Sequence, residues 1–279
     1  MSQSLTEIVE DVISSGEARI PVFDQNSAEI RQMVSSGEFD IVELERIIER
    51  DPGLAGELLR LANSAFYGGL DKVVTVRDAI MRTGAQRCAE LATLVAQKQA
   101  YSVRDPELSE IARKLWEHAL ATALGTEWLA ARLEIREIKN HTMLAGLLHD
   151  IGKLLVLVVI DDLKTAHGSS FDTTPTFVHE AMKGLHCRVG DELLRRWELP
   201  EEYSRVVQIH HDDDFDESDL LLLVVRLVDQ TCNKVGVGID PKPDLSLATT
   251  AEAQALHVSE LVLAELEVQI EDLAIEAGA

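Results

Sequence analysis

MLAGLLHDIGKLLVLVVI, Met143–Ile160, is the longest apolar run in the chain, and His149, Asp150 and Lys153 are set inside it. A membrane span needs about 20 mostly apolar residues without such groups, so the run reads as a buried helix. A lone histidine on an apolar helix is satisfied by one hydrogen-bond partner, whereas an unpaired carboxylate among leucines is costly. The pair His149-Asp150 is therefore either a metal site or a buried hydrogen-bonded couple, and its partners must come from elsewhere in the sequence.

The 279 residues are 46% hydrophobic, enough for a buried core in one large domain or two small ones. With 49 acidic residues against 26 basic ones the net charge is −23, and basic residues occur singly or in pairs such as Arg195-Arg196. Long-range electrostatics then oppose nucleic acid and anionic membrane surfaces, so neither is expected as a partner. Cys88, Cys187 and Cys232 form no C-x-x-C pair, which suits a reducing, cytoplasmic setting. The start MSQSLTEIVEDV lacks the basic leader and apolar stretch of a signal peptide.

Helical spacing dominates the remainder, and an all-α fold is the expectation. Asp51-Pro52 and Asp105-Pro106 each supply an N-cap with proline at the first helical position, and Pro200 in WELPEEY signals a further start. The helix opened at Asp105 should run through Trp116, His118 and Trp128. Breaks are expected at SAFYGG (64–69), at Thr83-Gly84 and at HGSSFDTTP (167–175). VVTV (73–76) reads as extended, yet four residues cannot make a sheet alone. After Val237 the chain reads as a loop, Thr249 and Glu252 have capping-box spacing, and SELVLAELEVQIEDLAIEA (259–277) reads as an acidic amphipathic helix.

Nine histidines occur. His118, the His149-Asp150 pair, His186, the doublet His210-His211 and Asp229 all lie on or beside predicted helices. Imidazole nitrogen and carboxylate oxygen suit divalent Fe, Mn, Ni, Co or Zn, and a bundle can converge them on one point. A carboxylate such as Asp150 could bridge two ions, as phosphoester hydrolysis needs, with Lys153 one turn from His149 as a point charge for phosphate. His141, His167, His179 and His257 sit in polar surroundings and are assigned no role.

Several blocks carry a resemblance: IPVF (20–23), DPGLAGELLRLANSAFYG (51–68), TVRDAIMRTGAQR (75–87), LWEHALATA (115–123), AGLLHDIGKLLV (145–156), GLHCRVGDELLRRWELP (184–200) and IHH (209–211). In this order they resemble the HDOD family, regulatory relatives of the HD-domain metal phosphohydrolases, from about Ile20 to Val235. The resemblance implies an all-α multi-helix bundle: a domain over 13–236, with an N-terminal helical lobe (about 13–105) packed on an HD-like lobe (about 106–236). A loop and acidic C-terminal helices (237–279) follow. Within the Asp-Pro block, Asn63 and Ser64 read as a helix end and Phe66 and Tyr67 as packing, the alternative being a surface for a signalling partner.

The same resemblance places His118, His149, Asp150, His186, His210, His211 and Asp229 at metal-ligand positions. Lys114 stands where related enzymes with a third metal carry glutamate, so one or two ions are expected. DDDFDES after His211 lacks the GYP motif and speaks against cyclic-di-GMP hydrolysis. The leading expectation is a bacterial signalling protein that binds a partner protein and keeps an HD-type metal site holding Fe, Mn, Ni or Zn. The rival is an active phosphohydrolase with Asp150 and Lys153 as its catalytic residues, and the third reading is a metal-free scaffold. The C-terminal helix is a candidate homodimer contact.

Overall fold

Aspartate, threonine and proline set many of the helix starts. The computed structural model describes residues 5–15, 29–30, 33, 40–64, 67, 72–96, 98, 102–168, 173–197 and 199–278. Residues 20–23, Ala65, Phe66, Gly68, Gly69, residues 169–172 and Glu198 of the expected blocks and breaks lie outside them. In chain order the helices are α1 (Leu5–Ser15), α2 (Ile41–Glu49), α3 (Pro52–Ala62), α4 (Val76–Thr83), α5 (Ala85–Ala96), α6 (Pro106–Arg132), α7 (Thr142–Leu148), α8 (Ile151–His167), α9 (Pro175–Arg196), α10 (Glu201–Ile209), α11 (Leu220–Lys234), α12 (Ala251–Ala255) and α13 (Glu260–Gly278). No strand occurs among the described residues, and the fold is all-α. Asp51 accepts from the N–H groups of Gly53 and Leu54, and Asp105 from those of Glu107 and Leu108, so both Asp-Pro steps cap as their sequence requires. Pro200 likewise precedes α10.

The chain divides into two units, Pro21–Tyr101 with Glu271–Ala279, and Met1–Ile20 with Ser102–Ile270. In the smaller unit, Leu44, Ile47, Ile48, Leu58, Ile80 and Leu91 fill the core, at the spacing of apolar helix faces. Asn63 ends α3, donating to the carbonyls of Leu59 and Val73 and accepting from Val73 N–H, each at 2.8 Å. The Val73 backbone thus pairs with a side-chain amide instead of a strand, and Thr75 and Val76 already open the next helix. Gly84, at φ 86°, supplies the expected break between α4 and α5. The Tyr67 hydroxyl accepts from Arg87 at 2.9 Å.

In the larger unit the Met143–Ile160 run is two helices, not one. Thr142–His167 has the length and composition of a membrane span, and 89% of its apolar window is buried inside the protein. It breaks at His149-Asp150, where Asp150 takes φ −110°, ψ 14° between α7 and α8. Consecutive side chains on an unbroken helix diverge by about 100°. The break lets both face one centre.

A glycine on each side of the pair sets the packing. A Cβ at Gly146 would sit 2.7 Å from the Thr122 carbonyl oxygen, so α7 lies directly against the turn of α6 that follows His118. A Cβ at Gly152 would overlap the carbonyl of His186, so α8 and α9 touch backbone to backbone. Further along α8, buried Asp161 accepts from the N–H groups of Arg104 and Asp105, both at 3.0 Å, and anchors the entry to α6.

Candidate metal centre

The larger unit brings together every residue expected as a ligand. His118 comes from α6, His149 and Asp150 from the α7–α8 break, His186 from α9, His210 and His211 from the end of α10, and Asp229 from α11. Asp150 Oδ2 faces one set, 3.6 Å from His118 Nε2 and 3.4 Å from His149 Nε2. Its Oδ1 faces another, 3.5 Å from His186 Nε2 and 3.3 Å from His210 Nε2. Asp229 Oδ1 adds to the first set, 3.1 Å from His118 Nε2, and Asn233 steadies that oxygen by donating at 3.0 Å. His118, His149 and Asp150 can present ligand atoms within 4.8 Å of one another, as can Asp150, His186, His210 and His211. Asp150 is common to both groups.

Each of four imidazoles is fixed by its outer nitrogen. His118 Nδ1 donates to the Val237 carbonyl at 3.1 Å, His149 to Gly146 at 2.8 Å, His186 to Met182 at 2.9 Å and His210 to Val207 at 2.9 Å. A carbonyl only accepts, so each Nδ1 carries a proton and each Nε2 is turned inward, the usual arrangement of metal-bound histidine. Two of the inward atoms, His210 Nε2 and Asp150 Oδ1, are buried and make no hydrogen bond. Buried polar atoms are rarely left so, and the donor set fits a divalent ion.

Residues 20–213 match the HDOD domain family. The chain belongs to the HDOD family. A protein of Treponema pallidum (strain Nichols) is 23% identical over 197 residues, 69% of this chain and 38% of that relative, so the match spans well under half of it. A solved structure from Shewanella amazonensis SB2B, provisionally named a metal-dependent phosphohydrolase, has a TM-score of 0.73 at 18% identity, covering 98% of each chain. Another from Marinobacter aquaeolei VT8, provisionally named a signal transduction protein, has a TM-score of 0.60 at 22% identity, covering 100% of this chain and 61% of that one. At these identities the likeness is one of fold.

Charge in this HDOD centre is nearly self-balanced. Burial pushes the Asp150 carboxyl up, but Lys153 and His149 outweigh it and hold it well below the carboxylate range. Burial likewise opposes the Asp229 charge, and His118 and His149 outweigh it. Lys153 donates to Asp150 Oδ2 at 2.6 Å, and that carboxylate raises the lysine against its burial. His149, driven down by burial, is lifted to about 10 by Asp150 and Asp229. An additional proton is also what the 3.2 Å contact between His118 Nε2 and His149 Nε2 requires, since both Nδ1 atoms already donate elsewhere. Burial takes His186 down to about 4 and His211 to about 3, leaving both neutral at physiological pH.

Asp150 and Lys153 are each only 7% exposed, whereas His211 is exposed and is where the centre meets solvent. Lys114 points to Glu110 at 4.0 Å and offers no third-site ligand. Of the histidines given no role, His141 meets Tyr203 and Glu202, and His179 meets Asp240, all outside the centre.

Sequence reasoning missed several contributors. Any residue carries a carbonyl, so nothing marked Val237. Cys187, whose Sγ lies 3.3 Å from His186 Nε2, carried no spacing signal. The expected Thr249–Glu252 box does not form: Thr250 caps α12, and Glu252 is buried against Arg226 at 2.6 Å. Val237, Asp229, Arg226 and Glu252 all lie beyond the matched residues 20–213.

Proposed function

We propose that this HDOD protein is a regulatory module acting through a partner protein, and that its buried centre holds two divalent transition-metal ions that fasten its helices. The observation that carries the metal reading is the inward turn of four Nε2 atoms around a carboxylate with one oxygen toward each group. Ligands on α6, the α7–α8 break, α9, α10 and α11 would tie those elements to one another, and an ion that binds only the folded state adds stability. The 2.6 Å Lys153–Asp150 pair supports regulation over catalysis. That ammonium is buried and committed to a carboxylate, which withholds it from phosphate.

A second reading has its own observation. The exposed edge at His211 gives the Asp150–His186–His210 group a route to solvent, and divalent ions held there would supply Lewis acidity toward a phosphoryl oxygen. In that case Asp150, common to both groups, would help hold the ions, and Lys153 would offer its ammonium to the phosphate of a nucleotide or other phosphoester. A screen of phosphoesters with Mn, Ni or Fe supplied separates the two. The regulatory reading expects no turnover above that of an Asp150→Asn variant, and turnover that this substitution abolishes would overturn it.

A further inference from the structure

Arg226 and Glu252 form a buried ion pair outside the ligand set, and its contacts lead to the second ion group. Arg226 is 8% exposed and Glu252 2%. Arg226 Nε donates to Glu252 Oε1 at 2.6 Å. Its Nη1 lies within reach of three carbonyls close together in the chain, those of His210 and Asp212 at 2.8 Å and of Ile209 at 3.4 Å. The Phe215 ring lies over the guanidinium at 4.0 Å.

The carbonyls of Ile209 and His210 close α10 and that of Asp212 follows it, at a helix end that leaves its last C=O groups short of intrahelical partners. The Ile209 carbonyl also accepts from Asp212 N–H at 3.0 Å, and the side chain that reaches all three carbonyls sits three residues before Asp229 on α11. One helix therefore contributes a ligand to the first ion group directly and holds the backbone of His210 and His211, from the second group, through Arg226. Breaking a buried pair leaves an uncompensated charge, so Arg226 depends on Glu252 to stay in place.

We infer that Arg226, oriented by Glu252, is the positioning residue of the second metal ion: it fixes the His210-His211 backbone so that both imidazoles reach Asp150. The inference rests on the two-ion reading above. Arg226 makes no contact with the first group's ligands among the described hydrogen bonds, so its loss should act on one ion.

The test is Mn(II) binding by chelator-stripped, full-length protein, followed by equilibrium dialysis and electron paramagnetic resonance, for wild type, Arg226→Lys and Glu252→Gln. Wild type should bind two ions with the signal of an exchange-coupled pair. Arg226→Lys should hold one ion with an uncoupled signal and unchanged first-ion affinity, and bind the second at least tenfold more weakly. Glu252→Gln keeps a neutral acceptor for Arg226 and should weaken the second ion alone, by less. Far-UV circular dichroism shows whether each variant keeps its helices. Both variants retaining a coupled pair at wild-type affinity would overturn the inference, as would loss of both ions together in either variant. Failure of wild type to bind a pair would instead sink the two-ion reading.

Discussion

Asp150 Oδ1 and His210 Nε2 face each other at 3.3 Å inside the protein, and neither atom makes a hydrogen bond. Both present lone pairs to the same point, an arrangement that gains from a cation between them.

Asp150 is the one ligand shared by both groups. Asp150→Asn should therefore abolish or greatly weaken binding of both ions, whereas Asp229→Asn should weaken only the ion at His118 and His149. Metal titration by isothermal calorimetry reads this directly: equal losses in the two variants would contradict a shared carboxylate.

Metal binding should release protons. His149, at about 10 in the metal-free fold against 6.5 for the free side chain, stabilises that fold fully below pH 6.5, and the contribution is lost as pH rises through about 10. An ion at this site must displace that proton, so affinity should climb across the same window. Calorimetry near pH 7.5 in two buffers of different ionisation enthalpy should count about one proton released with the first ion. Affinity independent of pH would refute this protonation state.

Lys153→Met should trade one cation for dependence on another. Losing one partner of a buried pair costs about 3 to 5 kcal/mol, and here it leaves Asp150 without its nearest cation and with His149 as its remaining charged neighbour. The metal-free variant should melt well below wild type and gain more on adding Mn(II), since the ion replaces the missing positive charge. Equal metal-induced shifts in melting temperature for the two proteins would argue against Lys153 balancing this centre.

Gly152→Ala places a methyl group against the His186 carbonyl and must force α8 from α9. Overpacking of this kind costs about 3 kcal/mol, and it displaces His186 from Asp150. Urea unfolding should show the loss, with metal affinity falling as well. A stable Gly152→Ala protein with intact binding would show that the helix crossing is not fixed by this glycine.

Much of the helical order was legible because its signals are local. Asp51-Pro52 and Asp105-Pro106 cap through their own side chains, so no distant contact had to be known. That His118, His149, Asp150, His186, His210, His211 and Asp229 meet is a tertiary fact, suggested by residue type and resemblance and settled in space by close approaches at Gly146 and Gly152. The break at His149-Asp150 was not legible: no proline stands there, Gly146 and Gly152 lie inside the flanking helices rather than at the break, and apolar residues resume directly after the pair. Glu252 misled for the opposite reason. Its spacing from Thr249 fits a local cap, but the buried guanidinium of Arg226 is the stronger partner.

The presence of a metal pair is the claim on which the rest depends, and elemental analysis of protein purified without chelator or added metal tests it most directly. Wild type should carry close to two transition-metal ions per chain, and a His149→Ala, Asp150→Ala double variant that keeps its helical circular dichroism almost none. Wild-type protein without bound transition metal, and unable to take up Mn, Fe, Ni or Zn when offered, would contradict that claim.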